Sequence, residues 1–299
     1  MAMIDRQLRH ATREISYAHS AKSKAGRAVI RTVENLTGRV SLIRRAKGYE
    51  AEVASGRNFW DVMFERYGLD LDILAGSLET LPQNGPLIVI SNHPFGILDG
   101  LVMGRILSTV RGDFRIMAHQ VFKGADELKR VILPVSFDET KEAVRLNLET
   151  RKEAVSFLKD GGAIGLFPGG TVSTAITPFG QPLDPGWRTF TAKMIASSGA
   201  TVVPIFFSGH NSRLFQVASH LHYTLRVALL IKEFKKQVGS RVPIVVGDPI
   251  APQEIERRAG SPRDLMDFLR SETYALSPDG MDTTRFGFEF EERHRRKKA

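Results

Sequence analysis

The chain has 299 residues, no cysteine and a formal net charge of +9. The absence of thiols excludes disulfides, thiolate metal sites and cysteine nucleophiles, and it fits a reducing compartment. The longest apolar runs are of strand length, so no membrane-spanning helix is expected, and Met1–Arg13 lacks the apolar segment of a signal peptide.

Charge is concentrated at the two ends. Residues 1–50 carry eleven basic and four acidic side chains, Arg293, Arg295, Arg296, Lys297 and Lys298 add five positive charges, and the remainder is net negative. Such ends suit an anionic membrane surface, which attracts basic residues at about 1 kcal/mol each, or a nucleic acid. Leu8, Ala11, Ile15 and Ala18, then Val29, Val33 and Leu36, recur at helical spacing among arginines. This predicts two basic amphipathic helices separated near 20–25, able to lie on anionic lipid or to cap a main domain.

Phe59, Trp60, Met63, Phe64 and Tyr67 form an aromatic stripe ended by Gly68, suited to a core or to interfacial lipid. From there strands and helices alternate. Strands are predicted at 69–75, 87–90, 114–118, 163–167, 201–207 and 242–246, and helices at 101–110, 139–159, 187–198, 225–238 and 262–276. The order predicts an α/β fold with a mostly parallel central sheet covered by helices. The expected organisation is a basic helical segment at 1–50, an α/β domain at 51–280 and a basic tail at 281–299.

Three stretches follow predicted strands, at the carboxyl ends where open α/β sheets bind ligands. In the first, Asn92 and His93 leave the strand, Pro94 and Gly96 turn the chain, and Asp99 precedes the next helical pattern. Neutral imidazole, with a reference pKa of about 6.5, accepts a proton near pH 7, and a carboxylate on its other nitrogen fixes the tautomer. His93 and Asp99 are therefore a candidate base and its orienter. With no reactive cysteine and no nucleophile elbow, attack by a substrate hydroxyl is expected in place of a covalent enzyme intermediate. The second stretch, 161–173, places Gly169 and Gly170 before Thr171 and Ser173. The glycines let backbone N–H groups approach a ligand, as an oxyanion or head-group cradle requires, and equally suit a tight turn. The third, 208–215, carries Asn211 and Arg213.

Asn92-His93-Pro94-Phe95-Gly96-Ile97-Leu98-Asp99-Gly100, Phe167-Pro168-Gly169-Gly170-Thr171-Val172-Ser173 and the block from Val203-Pro204-Ile205 to Asn211-Ser212-Arg213-Leu214-Phe215 resemble, in order, motifs of the lysophospholipid acyltransferase superfamily. The similarity runs from residue 38 to 274 and is nearest a bacterial branch labelled hemolysin-like, related to O-acyltransferases of ornithine-type and other aminolipids. The resemblance implies transfer of a fatty acyl group from an acyl carrier protein or coenzyme A thioester, the co-substrate, to a lyso-lipid hydroxyl, with no metal and no cofactor. It implies that His93 is the base and Asp99 its orienting acid, and that Phe167, Pro168, Gly170, Thr171 and Ser173 bind the acceptor. Asn92, Gly169, Pro204, Asn211 and Arg213 join these as substrate-binding candidates. A peripheral place on the cytoplasmic face of the inner membrane, in contact with anionic lipid and not nucleic acid, is expected.

Departures from the family pattern bear on the acceptor. Five residues separate His93 from Asp99, as in the resembled branch, where most of the superfamily has four. Gly169 stands where a Glu is usual, Val172 where glycerophosphate-acylating members have an Arg, and His119 near a phosphate-binding Arg of the second block. A phosphate monoester calls for a bidentate Arg. The losses predict an acceptor with an amino-acid or zwitterionic head group, its carboxylate or sulfonate met by Arg213, Arg115 or Arg188. Lysophosphatidic acid as acceptor, and a non-catalytic lipid-binding protein, are the alternatives.

Overall fold

In the computed structural model, which describes residues 16–18, 21, 23–119, 126–136 and 140–290, four helices precede the first strand. They are α1 (Lys24–Thr37), α2 (Arg39–Ala46), α3 (Tyr49–Ala54) and α4 (Phe59–Tyr67). The chain continues through β1 (Asp70–Ala75), β2 (Leu87–Ser91), α5 (Ile97–Val110), β3 (Phe114–His119), α6 (Asp126–Val131), β4 (Ile132–Val135) and α7 (Lys141–Lys159). It then forms β5 (Ala163–Leu166), α8 (Ala192–Ser198), β6 (Thr201–Phe207), α9 (Arg213–Leu221) and α10 (Tyr223–Gln237). β7 (Arg241–Val246), α11 (Pro252–Glu256) and α12 (Pro262–Ala275) follow.

The seven strands form one sheet in the order β1-β7-β6-β2-β5-β3-β4. Neighbours are parallel except β6 and β7, so β1 and β7 run against the other five. β2 lies at the centre and every residue of it is buried, because helices cover both faces. Its alternation divides the core. Leu87 and Val89 pack with α4, α5 and α10 on one face, whereas Ile88 and Ile90 pack with α7, α8 and α12 on the other.

Local chemistry accounts for the helix that borders the first layer. Asn58 Oδ1 accepts the Trp60 N–H at 2.8 Å, and Gly68 ends α4 in the left-handed conformation. Trp60, Met63, Phe64 and Tyr67 are buried in the main core, so the aromatic stripe is packing surface. A Cβ at Gly104 of α5 would stand 2.1 Å from the Trp60 ring, so only glycine leaves the indole its place.

Four departures from the sequence expectation bear on the architecture. β4 was not expected because Pro134 lies in its run, and the sheet edge is where proline is tolerated. The helix expected at 187–198 begins only at Ala192, since Trp187 and the Arg188 N–H are engaged by Asp184 and the Pro168 carbonyl. Leu42, Ala46 and Tyr49 enter the main core, so a boundary at residue 50 cuts through one packed unit. Thr283–Phe290, expected to be tail, is hydrogen-bonded onto the domain. Leu8, Ala11 and Ile15 of the first expected amphipathic helix lie outside the described residues, as do 291–299 with their five basic side chains. No helix among the described residues is long and apolar enough to cross a membrane.

Candidate active site

β2 delivers Asn92 and His93 to the carboxyl edge of the sheet, and the chain turns at Gly96, which has a φ of 86° that favours glycine. Asp99 sits in the first turn of α5, where its Oδ2 accepts the N–H groups of Phe95 at 2.8 Å and Gly96 at 2.9 Å. The same oxygen is 2.8 Å from His93 Nδ1. One carboxylate thus caps the helix and orients the imidazole, leaving Nε2 as the ring nitrogen that Asp99 does not engage. Asp99 is fully buried, and burial pushes its carboxyl above the usual range, opposed by His93 and the two amides. Those three partners favour the ionised form, which can stabilise an imidazolium.

The other two stretches meet this turn. The Ser173 N–H donates to the His93 carbonyl at 2.8 Å, and the His93 ring lies on Phe167 with centroids 4.5 Å apart. After β6, a Cβ on Gly209 would stand 2.9 Å from the Phe95 ring. The Asn92 amide bonds both backbone groups of Phe207, at 2.9 and 2.7 Å. Asn92 therefore joins β2 to β6 at their ends, and its amide is engaged there.

Gly170 turns the second loop with a φ of 67°, its N–H returning to the Phe167 carbonyl at 3.0 Å. Gly169 is buried against Asp184, whose Oδ2 would lie 3.0 Å from a Cβ at that position. Pro168 is buried and its carbonyl accepts the Arg188 N–H. The amides of Gly169, Thr171 and Val172 have no acceptor among the described residues. The Ser173 hydroxyl is engaged by Asp184 Oδ1 at 2.5 Å, while Thr171 is half-buried. Pro204 lies inside β6 opposite Ile90, away from the strand end, with its carbonyl on the Gly247 N–H. Asn211 is 1% exposed, and neither atom of its side-chain amide has a partner among the described residues.

The cations expected at the head group are engaged elsewhere. Exposed Arg213 donates to the Gly180 carbonyl at 2.6 Å, Arg115 pairs with Asp113 and lies over the Phe157 ring, and Arg188 forms a two-pronged pair with Glu289 at 2.8 and 3.0 Å. The side chain of His119 lies outside the described residues.

Three groups that sequence reasoning missed build the floor. Asp184, fully buried, accepts from Ser173 Oγ, from Trp187 Nε1 at 3.0 Å and from the His93 N–H at 3.2 Å. Its own N–H donates to the Tyr274 hydroxyl oxygen at 2.7 Å, and burial pushes the Tyr274 hydroxyl far up. Arg226 of α10 donates to Thr171 Oγ1, the Val172 carbonyl, Thr174 Oγ1 and Ser219 Oγ. The segment near residue 288 completes the floor, with the Gly287 N–H on the Asp184 carbonyl and the Phe288 N–H on the Thr174 carbonyl, both at 2.8 Å. Nothing local marks Asp184. Arg226 carries a signal, for it falls on the face of its helix that bears Leu230 and Phe234.

A family model described as "Acyltransferase" matches residues 16–283. Lyso-glycine lipid O-acyltransferase of Phocaeicola vulgatus is 26% identical over 216 residues, covering 70% of this chain and 74% of that protein. The protein of the same name from Bacteroides thetaiotaomicron is 24% identical, with 70% and 76% covered. The crystal structure of the 1-acyl-sn-glycerophosphate (LPA) acyltransferase PlsC from Thermotoga maritima aligns with a TM-score of 0.42 and 16% identity, over 84% and 85% of the two chains. With its family model covering nearly the whole described chain, this protein belongs to the acyltransferase family and is an enzyme of that class.

Proposed function

We propose that the chain transfers a fatty acyl group from an acyl carrier protein or coenzyme A thioester to the hydroxyl of a lyso-lipid with an amino-acid head group. The observation that carries this reading is the His93–Asp99 pair at 2.8 Å, set at the edge of the sheet beside a loop whose Gly169, Thr171 and Val172 amides have no acceptor among the described residues. His93 Nε2 takes the proton of the acceptor hydroxyl as its oxygen attacks the thioester carbonyl. Asp99 holds the tautomer and stabilises the imidazolium. The amides of Gly169, Thr171 and Val172 supply donors for the tetrahedral oxyanion, which collapses with loss of the thiolate carrier, and the thiolate takes up the proton from His93. The names of the two curated relatives support a glycine-type head group over an ornithine-type one.

Exposed Ile176 and Phe179 follow the acceptor loop, and Leu214, Leu221 and Tyr223 are exposed on α9 and α10. This apolar set, with the basic N-terminal region, supports peripheral contact with an anionic membrane on the cytoplasmic side. The test is acyl transfer by purified protein, with lyso-glycine lipid, lyso-ornithine lipid and lysophosphatidic acid assayed side by side. Faster turnover of the amino-acid lipids is expected. Preference for lysophosphatidic acid would overturn the acceptor assignment.

A further inference from the structure

Arg226 is 3% exposed, and among the described residues its guanidinium donates only to neutral oxygens: Thr174 Oγ1 at 2.6 Å, Ser219 Oγ at 2.9 Å, Thr171 Oγ1 at 3.1 Å and the Val172 carbonyl at 2.7 Å. The rings of Phe215 and Phe290 lie 4.9 and 4.3 Å from its central carbon. No carboxylate among the described residues pairs with it, unlike Arg188, which has Glu289. An uncompensated buried charge is expensive, and burial pulls this guanidinium down to about 9, which still leaves it charged at neutral pH.

Its position is close to the chemistry. Val172 and Leu230 both come within 3.3 Å of where a Cβ on Gly96 would stand, so the loop and α10 border the turn between His93 and Asp99. Because Thr171 Oγ1 accepts from Arg226, its own hydroxyl hydrogen is free to donate elsewhere, and Thr171 is half-buried where Arg226 is closed off. A hydroxyl donor backed by a buried cation is suited to an anion.

We propose that Thr171, polarised by Arg226 behind it, forms a subsite for a carboxylate on the head group of the acyl acceptor. Arg226 is the positioning residue and Thr171 the contact. Arg226 brings a cation to the loop from α10 and reaches the carboxylate through the Thr171 hydroxyl. This assignment rests on the lyso-lipid acceptor reading above.

The experiment compares an N-acyl amino-acid lyso-lipid carrying a free carboxylate with its methyl ester, under one acyl donor. Wild-type protein is expected to show a KM about tenfold or more lower for the acid, with similar kcat, since a charge-assisted hydrogen bond distinguishes the two. Thr171→Val, which removes the hydroxyl while keeping the shape, is expected to reduce that ratio to about twofold. Arg226→Met is expected to do the same and Arg226→Lys to restore part of it, a pattern that a packing role would not produce. Equal KM for acid and ester in wild type, or an unchanged ratio in folded Thr171→Val, overturns the subsite while leaving acyl transfer to lyso-lipids intact. Failure to acylate either compound overturns the acceptor reading itself.

Discussion

The turn after β2 and the loop after β5 face each other, yet they are built in opposite ways. In the first, Asp99 caps its own helix and orients His93 within a seven-residue span. In the second, Gly170 turns on the nearby Phe167 carbonyl, but Asp184 meets Gly169 and Ser173 and Arg226 meets Thr171 and Val172 from elsewhere in the chain, with Tyr274 on Asp184 and Phe288 on Thr174 behind them. The contact of the proposed base with its orienter lies within one turn of chain. A loop held from four elements can be retuned from any of them.

His93→Ala is expected to have the largest effect on rate, a loss of about 10²–10⁴ in kcat with the fold retained by circular dichroism, since that is what a general base contributes. Near-full activity in the folded variant would separate the turn from the chemistry. Asp99→Asn keeps an acceptor oxygen for the Phe95 and Gly96 N–H groups but removes the charge beside Nδ1, so kcat should fall while acceptor KM stays near wild type. A shift in KM instead would mean that the turn also shapes the acceptor site.

Asp184→Ala tests the borrowed side of the comparison. It orphans the Ser173 hydroxyl, the Trp187 indole N–H and the His93 N–H, each at about 1–3 kcal/mol when buried, and should lower the unfolding midpoint in denaturant. Gly169→Glu adds a Cβ that would meet the Asp184 carboxylate at 3.0 Å. Destabilisation of about 1–3 kcal/mol is expected, with no gain of activity on lysophosphatidic acid. The smallest effect belongs to Arg213→Ala, which loses one exposed hydrogen bond to Gly180 and should leave the unfolding midpoint and acceptor KM unchanged. A large rise in KM there would move the head-group cation from α10 to α9.

Which residues could be read in advance follows the same division. The sheet, its parallel character and the strand that carries His93 follow from β-branched runs separated by helical periodicity, a signal each segment holds by itself. The glycine turns and the His93–Asp99 pair sit within one short stretch, so their meeting is implied by chain geometry. β4 and α9 were not legible, because Pro134 masks an edge strand and Ser212–Leu221 follows a motif loop without a break in composition.

By itself, then, the sequence determined the α/β layering and the placement of histidine and carboxylate across a turn. Tertiary structure alone decided that Asp184 fills the space beside Gly169, that Arg213, Arg115 and Arg188 are engaged away from the site, and that Arg226 backs Thr171. The physical reason is range. Capping, turn formation and strand alternation act over a few residues and leave a pattern in the chain. Contacts between residues 171 and 226, or 173 and 184 with 274, form only when the sheet brings their elements together.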